Sequence, residues 1–418
     1  MTRGRSHTNI LVMNAGSSSQ KCCLYRIDGP SLPDTPPAPL WQGKIEWSAP
    51  GGAAMTVNRQ KSAMPEGIAQ SDGVIRLLRT LWEGETAVIE GPADIAIAGH
   101  RVVHGGADFR EPVRVTCEVK DAIQKLSPLA PEHNPAALEG MDAVEQLLGP
   151  EALQVAVFDT AFHQTIPDAA AVYPGPYAWF EQGIRRYGFH GINHAWCAER
   201  AAHLLTEHNP ETLRVITCHL GNGCSLAAIR GGKCIDTTMG FTPMEGLMMG
   251  SRSGTIDPGI LLHLLGKGMS TDEMGRILNN ESGLKGLSGV SEDLRAVTAA
   301  IESGSKQAQL ALDVYTHRLR AHIGAMIASL GGLDALVFTA GVGENSSTIR
   351  SAACAPLAFL GLSLDEVKNQ EPLGAKSPAE RDIADPGSRV RVLVIPAHED
   401  WAVARECAQQ LGLITEAS

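Results

Sequence analysis

The chain has 418 residues, of which 44% are hydrophobic and 19% are charged, and its formal net charge is −11. This length exceeds one compact core and predicts two domains. The ordinary composition excludes a disordered protein. The acidic balance argues against binding to nucleic acid or to an anionic membrane, because phosphate backbones require clustered Lys and Arg. A small phosphorylated ligand stays compatible, since a few local cations and backbone amides can hold it.

Nine cysteines are spread over the sequence without a Cys-x-x-Cys pair. This spacing favours buried, reduced thiols over a disulfide framework or a cysteine-rich zinc site. The apolar stretch at residues 10–13 is far shorter than a signal-peptide core, and no run approaches the roughly 18–20 apolar residues of a membrane span. A soluble, cytoplasmic protein is therefore expected.

Two similar hairpins open the two halves of the sequence. Residues 10–25 predict a short apolar strand, a loop of small residues and a returning strand. Residues 215–229 repeat this order, and Asn14 in the first loop corresponds to His219 in the second. The repetition predicts an internal duplication.

Two further apolar runs, residues 155–158 and 336–339, predict strands that are buried on both faces, as in α/β folds. Asp159 follows the first run, and a loop at residues 341–345 follows the second. Because open α/β sheets bind ligands at the carboxyl ends of their strands, the four loops are expected to converge on one cleft.

Helical spacing of apolar residues predicts a helix over residues 319–330, ending at a Gly-Gly pair. Polar residues 376–389 predict a surface loop, residues 390–395 a strand and residues 401–411 a closing helix.

Familiar phosphate-binding and hydrolase motifs do not occur in the sequence. Gly266-Lys267 lacks the earlier glycine of a P-loop, and Gly221-Asn222-Gly223 lacks the third glycine of a dinucleotide-binding loop. There is no Gly-x-Ser-x-Gly elbow and no His-Glu-x-x-His zinc spacing. These absences argue against four classes of protein: P-loop ATPases, Rossmann dehydrogenases, α/β-hydrolases and zinc enzymes.

Arg101 and Arg252 each lie close to glycines and are therefore accessible. The guanidinium fork fits a carboxylate or phosphate bidentately, so both are candidates for holding an anionic substrate. A structural salt bridge is the commoner role for any single Arg, and His104 or His133 alone is more often a structural histidine.

Together these motifs resemble the acetate kinase family, in the superfamily of acetate and sugar kinases, Hsp70 and actin. The resemblance runs in order over nearly the whole sequence. It rests on the segments Asn14-Ala15-Gly16-Ser17-Ser18-Ser19-x-Lys21, Gly99-His100-Arg101-Val102-Val103-His104-Gly105-Gly106, His133-Asn134-Pro135, Phe158-Asp159-Thr160-Ala161-Phe162-His163, Tyr187-Gly188-Phe189-His190-Gly191, His219-Leu220-Gly221-Asn222-Gly223, Asp293-Leu294-Arg295, Gly341-Val342-Gly343-Glu344-Asn345 and Glu399.

The resemblance implies an α/β fold with two duplicated ribonuclease-H-like (actin-like ATPase) domains and a cleft between them. The expected first domain comprises residues 1–158 plus 398–418, with the last helix returning to it. Residues 159–397 form the expected second domain, which binds nucleotide and supplies the contacts of an implied homodimer.

The resemblance also implies the roles of individual residues. The implied catalytic residues are Asp159, His190 and Arg252. The implied substrate contacts are Arg101, Val103, Phe189 and Pro243. The implied magnesium positions are Asn14 and Glu399. The implied ATP contacts are Lys21, His219, Leu220, Gly221, Asn222, Gly223, Asp293, Leu294, Arg295, Gly341, Val342, Gly343, Glu344 and Asn345.

Three positions depart from the family's pattern. Glu132 stands where Leu usually lines the acyl pocket, Thr255 replaces an Asp, and His398 replaces an Asn before Glu399. The first departure bears on substrate choice, whereas the other two bear on the shape of the cleft.

The expected function is reversible transfer of the γ-phosphoryl group of ATP to acetate, giving acetyl phosphate and ADP with Mg²⁺ (or Mn²⁺). The acceptor carboxylate is already ionised at neutral pH, so no general base is required and Asp159 is interpreted as an orienting residue. The alternatives are a propionate or butyrate kinase and, from another class, an actin-like or chaperone ATPase with a protein partner.

Overall fold

The computed structural model describes residues 7–16, 19–47, 52–372 and 380–413. The chain divides into two compact units, Met1–Ala161 with His398–Ser418, and Phe162–Ala397. The expected second domain began three residues earlier, at Asp159. The difference arises because Asp159 is paired with Arg101, and the Thr160 hydroxyl accepts a hydrogen bond from Gly105 N–H; both partners belong to the first unit.

The first unit contains an eight-stranded sheet within its described residues, with strand order β5-β4-β3-β2-β1-β6-β8-β7. Its strands are His7–Ala15 (β1), Ser19–Asp28 (β2), Trp41–Glu46 (β3), Ala54–Val57 (β4), Gln60–Ala63 (β5), Ile95–Val102 (β6), Val113–Arg114 (β7) and Gln154–Phe158 (β8). Its α-helices are Gln70–Arg79, Cys117–Leu126, Asn134–Leu148 and Glu399–Gln410, with 3₁₀ turns at Pro92–Asp94 and Ser127–Leu129.

The predicted first hairpin is confirmed. β1 and β2 are antiparallel, with Asn14 opposite Lys21, and β1 is parallel to β6 on its other side. The centre of β1, from Ile10 to Met13, is almost fully buried on both faces of the sheet, since alternate side chains of a strand point to opposite faces. A continuous apolar run is what such a strand requires.

The second unit contains a six-stranded sheet within its described residues, with strand order β11-β10-β9-β12-β14-β13. Its strands are Arg214–Leu220 (β9), Cys224–Arg230 (β10), Lys233–Thr237 (β11), Ala335–Thr339 (β12), Arg381–Asp382 (β13) and Arg391–Val394 (β14). Its α-helices are Asp168–Ala171, Tyr177–Glu181, Gly191–Leu204, Pro258–Gly266, Thr271–Asn280, Gly283–Ser288, Leu294–Glu302, Lys306–Leu330, Ala340–Asn345, Ser347–Cys354 and Glu366–Gln370. The 3₁₀ turn Ala161–Thr165 leads into this unit, and a second lies at Ala355–Leu360.

The two sheets share one strand arrangement. In the first unit the order β3-β2-β1-β6-β8 has antiparallel pairs up to β1 and parallel pairs beyond it. The order β11-β10-β9-β12-β14 in the second unit repeats this arrangement pair by pair. The predicted duplication and the α/β fold class are thereby confirmed.

The segment at residues 341–345, predicted as a loop, is instead the short helix Ala340–Asn345. Its glycines have low helix propensity, so the sequence does not favour a helix there. The buried Arg350 stabilises it by donating from Nη1 to the carbonyl oxygens of Gly343 and Glu344, at 2.8 and 2.9 Å. A cation at a helix C-terminus satisfies carbonyls that the helix leaves without partners.

The helix predicted over residues 319–330 is the last half of the 25-residue helix Lys306–Leu330. Ser305 caps its start by accepting from Ala308 N–H, and Gly331, in the left-handed region at φ 70°, ends it. Despite this length, neither this helix nor any other in the described ranges is long and apolar enough to cross a membrane. Part of the predicted loop at 376–389, residues 376–379, lies outside the described residues.

Gly324 lies inside this long helix, and a Cβ added there would meet no atom within 4 Å. Gly324→Ala is expected to stabilise the protein by about 0.5–1 kcal/mol, because alanine loses less backbone entropy in a helix. A rise in Tm of about 1–4 °C should follow. Gly331→Ala is the matched control and should lower Tm, since its positive φ disfavours a Cβ; a lower Tm for Gly324→Ala would contradict the prediction.

Candidate active site

A cluster of polar side chains lies at the carboxyl ends of the parallel strands β1, β6 and β8 in the first unit. Arg101 on β6 pairs in register with Asn14 on β1, and Asp159 directly follows β8. The Asp159 N–H donates to the carbonyl of Val102 at 2.9 Å, which extends the hydrogen bonding between β6 and β8 by one residue. Three predicted site residues that are distant in sequence therefore meet at one sheet edge.

Arg101 and Asp159 form a bidentate ion pair. Nε of Arg101 donates to Oδ1 at 3.1 Å and Nη2 donates to Oδ2 at 2.6 Å. The Asp159 side chain is only 1% exposed and the Arg101 side chain 13%. Burial lowers the pKa of Arg101, but the charges of Asp159 and Glu399 outweigh burial and raise it above its usual value. The guanidinium is permanently charged and held in one plane.

Asn14 links this pair to the returning helix Glu399–Gln410. Its Oδ1 accepts from Arg101 Nη1 at 3.1 Å, and its Nδ2 donates to Asp400 Oδ1 at 3.0 Å. Because Asp400 accepts from the amide nitrogen, the amide oxygen is turned toward Arg101. Glu399 Oε2 lies 3.9 Å from the same Nη1. Asn14 and Glu399, the predicted metal positions, therefore flank one guanidinium nitrogen.

The part of the chain that the structure describes contains no group of three or more His, Cys, Asp or Glu side chains arranged to hold a metal. Mg²⁺ does not require one, since it commonly takes one or two protein carboxylates plus substrate phosphates. The hard oxygens of Asn14 and Glu399 fit that chemistry. Lys21 is exposed opposite Asn14, Val103 is buried, and residues 17 and 18 of the first loop lie outside the described residues.

His190 and Arg252 meet beside Gly223 in the second unit. A Cβ on Gly223 would lie 3.4 Å from His190 Nε2 and 3.5 Å from Arg252 Nη1, so a side chain there would crowd both groups. His190 takes a left-handed backbone conformation, φ 57°, immediately before the helix Gly191–Leu204. Its ring stacks on His219 with centroids 4.0 Å apart and planes at 13°. The predicted catalytic pair is thus brought together.

The segment around Arg252 is anchored by backbone contacts. Arg252 Nη1 donates to the carbonyl of Pro243 at 3.5 Å. Thr255, one of the departures from the family's pattern, exchanges two hydrogen bonds with Gly246: its hydroxyl accepts from Gly246 N–H, and its own N–H donates to the Gly246 carbonyl. The threonine hydroxyl therefore supplies a hydrogen-bond acceptor at the position where the family's pattern has an aspartate. Phe189, a predicted substrate contact, is almost fully buried.

A cavity of about 810 Å³ in the second unit brings together the three segments predicted to bind ATP. This volume suits a nucleotide-sized ligand. The cavity lies at the N-terminus of the helix Leu294–Glu302, a position that favours anions. Its lining residues are Gly221, Asn222, Glu292, Asp293, Leu294, Arg295, Thr298, Gly341, Val342, Asn345 and Ser346.

Besides Lys21 in the first unit, five predicted ATP contacts do not line this cavity. Leu220 is fully buried and Glu344 Oε1 accepts from Ala397 N–H at 2.9 Å, so both hold the surrounding backbone in place. The others are His219, Gly223 and Gly343. Conversely, Glu292, Thr298 and Ser346 line it although sequence reasoning did not select them. Ser346 directly follows one predicted segment, and Glu292 directly precedes another. Their positions next to these segments could have identified both residues from the sequence.

Glu132 and His398 are the remaining departures. Glu132 is exposed, as its charge requires. His398 directly precedes the helix Glu399–Gln410, whose first residue is the predicted metal position.

The two α/β units with like strand arrangements are consistent with the two-domain fold of actin-like ATPases. A family model described as the acetokinase family matches residues 9–405. Acetate kinase from Gloeobacter violaceus is 57% identical, covering 96% of this chain and 99% of that protein. Acetate kinase from a Cyanothece species is 58% identical, covering 96% and 98%.

Solved structures agree with these relatives. Porphyromonas gingivalis acetate kinase matches with a TM-score of 0.85 and 39% identity, covering 97% of this chain and 100% of that one. A propionate kinase from Francisella tularensis matches with a TM-score of 0.84 and 38% identity, covering 96% and 98%. The chain belongs to the acetokinase family, and its activity is that of a kinase with acetate as phosphoryl acceptor.

Proposed function

We propose that the enzyme transfers the γ-phosphoryl group of ATP directly to acetate, reversibly and with Mg²⁺, giving acetyl phosphate and ADP. The observation that carries this proposal is the planar, charged Arg101 guanidinium, fixed by Asp159 at the end of three parallel strands. A carboxylate substrate matches such a guanidinium in charge and geometry. The nucleotide is assigned to the 810 Å³ cavity.

Asp159 acts in this proposal as a positioning residue. Acetate is ionised at neutral pH and needs no general base. Both carboxylate oxygens of Asp159 already accept hydrogen bonds from Arg101. Asp159 therefore balances and orients the cation, and Arg101 orients the nucleophilic oxygen.

His190 and Arg252 are assigned to the transferring phosphoryl group. Phosphoryl transfer depends on alignment and on stabilising the charge of the equatorial oxygens, more than on covalent help from the protein. A guanidinium nitrogen and an imidazole nitrogen that both lie close to Gly223 would supply that stabilisation. Val103, Phe189 and Pro243 are assigned to the small acyl group.

Asn14 and Glu399 would hold the Mg²⁺ ion through oxygen atoms, with phosphate oxygens completing its shell. The ion neutralises charge on the phosphates when it is bound. Asp400 contributes indirectly, because its hydrogen bond to the Asn14 amide nitrogen fixes the orientation of the amide oxygen, which keeps one lone pair besides the one that accepts from Arg101.

Glu399→Ala is expected to raise the Mg²⁺ concentration for half-maximal activity by about 10-fold or more, because one of two protein oxygens is lost. The acetate KM should change much less. Magnesium titrations at saturating acetate and ATP measure this. Glu406→Ala, on the same helix, is the control. A change confined to the acetate KM would contradict the assignment.

The function is tested by acyl-hydroxamate formation from ATP with acetate, propionate or butyrate. We expect the highest kcat/KM with acetate. ATP hydrolysis without phosphorylation of any acid would favour the actin-like or chaperone ATPase, and a preference for a longer acid would favour the related propionate or butyrate kinases.

We propose a homodimer that forms through the helix Pro258–Gly266. The helix contains five Ile and Leu residues, yet none of its residues is buried within the chain. Leu262 is 72% exposed and Ile260 is 47% exposed. An apolar helix that one chain leaves uncovered is well suited to bury against a second copy.

Leu262→Glu is expected to convert the dimer to a monomer, because burying a charge at an apolar interface is costly. Light scattering after size-exclusion chromatography measures the mass. Val367→Glu is the matched control, since Val367 is 76% exposed but lies on the helix Glu366–Gln370. An unchanged dimer for Leu262→Glu would place the interface elsewhere.

A cytoplasmic location is also proposed. All nine cysteines are free thiols, eight of them buried, which suits a reducing compartment.

A further inference from the structure

A chain of four side chains leads away from His190 into the core of the second unit. His190 Nδ1 lies 2.8 Å from the hydroxyl of Ser225, and that hydroxyl lies 2.8 Å from His194 Nε2. His194 Nδ1 in turn lies 2.6 Å from the hydroxyl of Thr217. Ser225, His194 and Thr217 are completely buried. The chain therefore connects the half-buried His190 to groups that no substrate can contact.

The serine hydroxyl imposes a constraint on the two histidines. It has one proton and two lone pairs, so it can donate to at most one of the two ring nitrogens, and when it donates to one it must accept from the other. Burial, followed by the charges of His163 and His219, lowers the pKa of His194 well below its usual value. A neutral His194 has one N–H, which makes its two hydrogen bonds opposite in direction. A serine that donates to His190 therefore requires His194 Nε2 to be the donor and His194 Nδ1 the acceptor.

A permanent positive charge lies beside His190. Arg252 Nη1 lies near the same point as His190 Nε2, and the His219 ring stacks on the His190 ring. A second cation beside a permanent guanidinium is electrostatically unfavourable. A neutral imidazole stabilises an anion only if its N–H faces that anion, which requires the proton to be on Nε2 and leaves Nδ1 as an acceptor.

We propose that Ser225 is a positioning residue that donates to His190 Nδ1 and thereby fixes the tautomer in which His190 Nε2–H is directed toward the transferring phosphoryl group. In this arrangement Thr217 donates to His194 Nδ1, and His194 Nε2–H donates to Ser225. The inference rests on the role proposed above for His190. It adds that a buried serine, with His194 and Thr217 behind it, selects the active tautomer.

The tautomer is measured without any assay of activity. Long-range ¹H–¹⁵N spectra of protein labelled at histidine, with His190 assigned from a His190→Gln variant, report which ring nitrogen carries the proton. We expect Nε2 to be protonated and Nδ1 unprotonated. A protonated Nδ1 would overturn the inference but would leave the proposed phosphotransfer untouched.

Kinetics supply the second test. Ser225→Ala should lower kcat by about 10- to 100-fold, by analogy with the loss of the partner that orients a metal-bound histidine, with KM for acetate and ATP within about twofold. In a His190→Ala background the same change should have little further effect on kcat, since the two residues act as one unit.

The matched control is Thr237→Val, which removes another buried hydroxyl of the same sheet, bonded to the Leu226 carbonyl. It should lower Tm without lowering kcat. Equal losses from Ser225→Ala in both backgrounds would show a merely structural role. If His190→Ala itself left kcat unchanged, the proposed role of His190 would fail instead.

Discussion

Replacing Arg101 by alanine is expected to lower kcat/KM for acetate by about 100- to 1,000-fold. Removing one partner of a buried, hydrogen-bonded ion pair typically destabilises the site by about 3–5 kcal/mol, because a buried charge is left uncompensated. Here the partner left behind, Asp159, is 1% exposed and would retain an uncompensated charge next to the binding site of an anion. The acetate KM should therefore rise and kcat should fall, whereas the ATP KM should change little.

Arg200→Ala is the matched control for this prediction. Arg200 forms a bidentate pair with Glu380 at 2.6 and 2.8 Å, and the exposed fractions of the two side chains are 12% and 16%. The control should lower Tm without a selective effect on acetate. Arg101→Lys should recover only part of the activity, because an ammonium cannot reproduce the fork that Asp159 holds. Acetate binding that survives Arg101→Ala unchanged would contradict the assignment.

Replacing Arg252 by alanine is expected to lower kcat by about 1,000-fold with small changes in both KM values. A guanidinium that stabilises the transition state of phosphoryl transfer is worth about 10³–10⁵ in kcat. Arg252 Nη1 lies close to Gly223 and to His190 Nε2, at the position assigned to the transferring phosphoryl group, so its main effect is expected on that group. An interaction that strengthens as charge develops appears in kcat.

Arg276→Ala is the control for Arg252, because Arg276 pairs with Glu281 on the protein surface. It should leave kcat and both KM values unchanged. Steady-state kinetics in both reaction directions measure these effects. If Arg252→Ala raised the ATP KM and left kcat intact, Arg252 would be a nucleotide contact and not a stabiliser of the transition state.

The fold was predictable where strands are buried on both faces. β1, β8 and β12 are continuous apolar runs, which sequence reasoning detects. β5 was not predicted, because all four of its residues are exposed and only its pairing with β4 makes it a strand. The helix Ala340–Asn345 was also missed, since tertiary contacts from Arg350 outweigh its low intrinsic propensity.

The sequence suggested individual residues for the candidate site, but it could not predict the hydrogen bonds between them. Arg101 and Asp159 are 58 positions apart, and only the adjacent strands β6 and β8 bring them together. The orientation of Asn14 depends on Asp400, 386 positions away. Ser225 carried no sequence signal, because a serine after a cysteine in a buried strand has no distinguishing pattern.

The burial of the cysteines has a consequence for the protein's reactivity. Thiolates, not thiols, attack alkylating reagents, and burial raises the pKa of Cys224 to about 11 and of Cys22 to about 12. Only Cys117, at the start of the helix Cys117–Leu126, is exposed among the nine. In the folded chain only Cys117 is therefore expected to react readily with a maleimide. Modification of any further thiol reports a transient opening of the core.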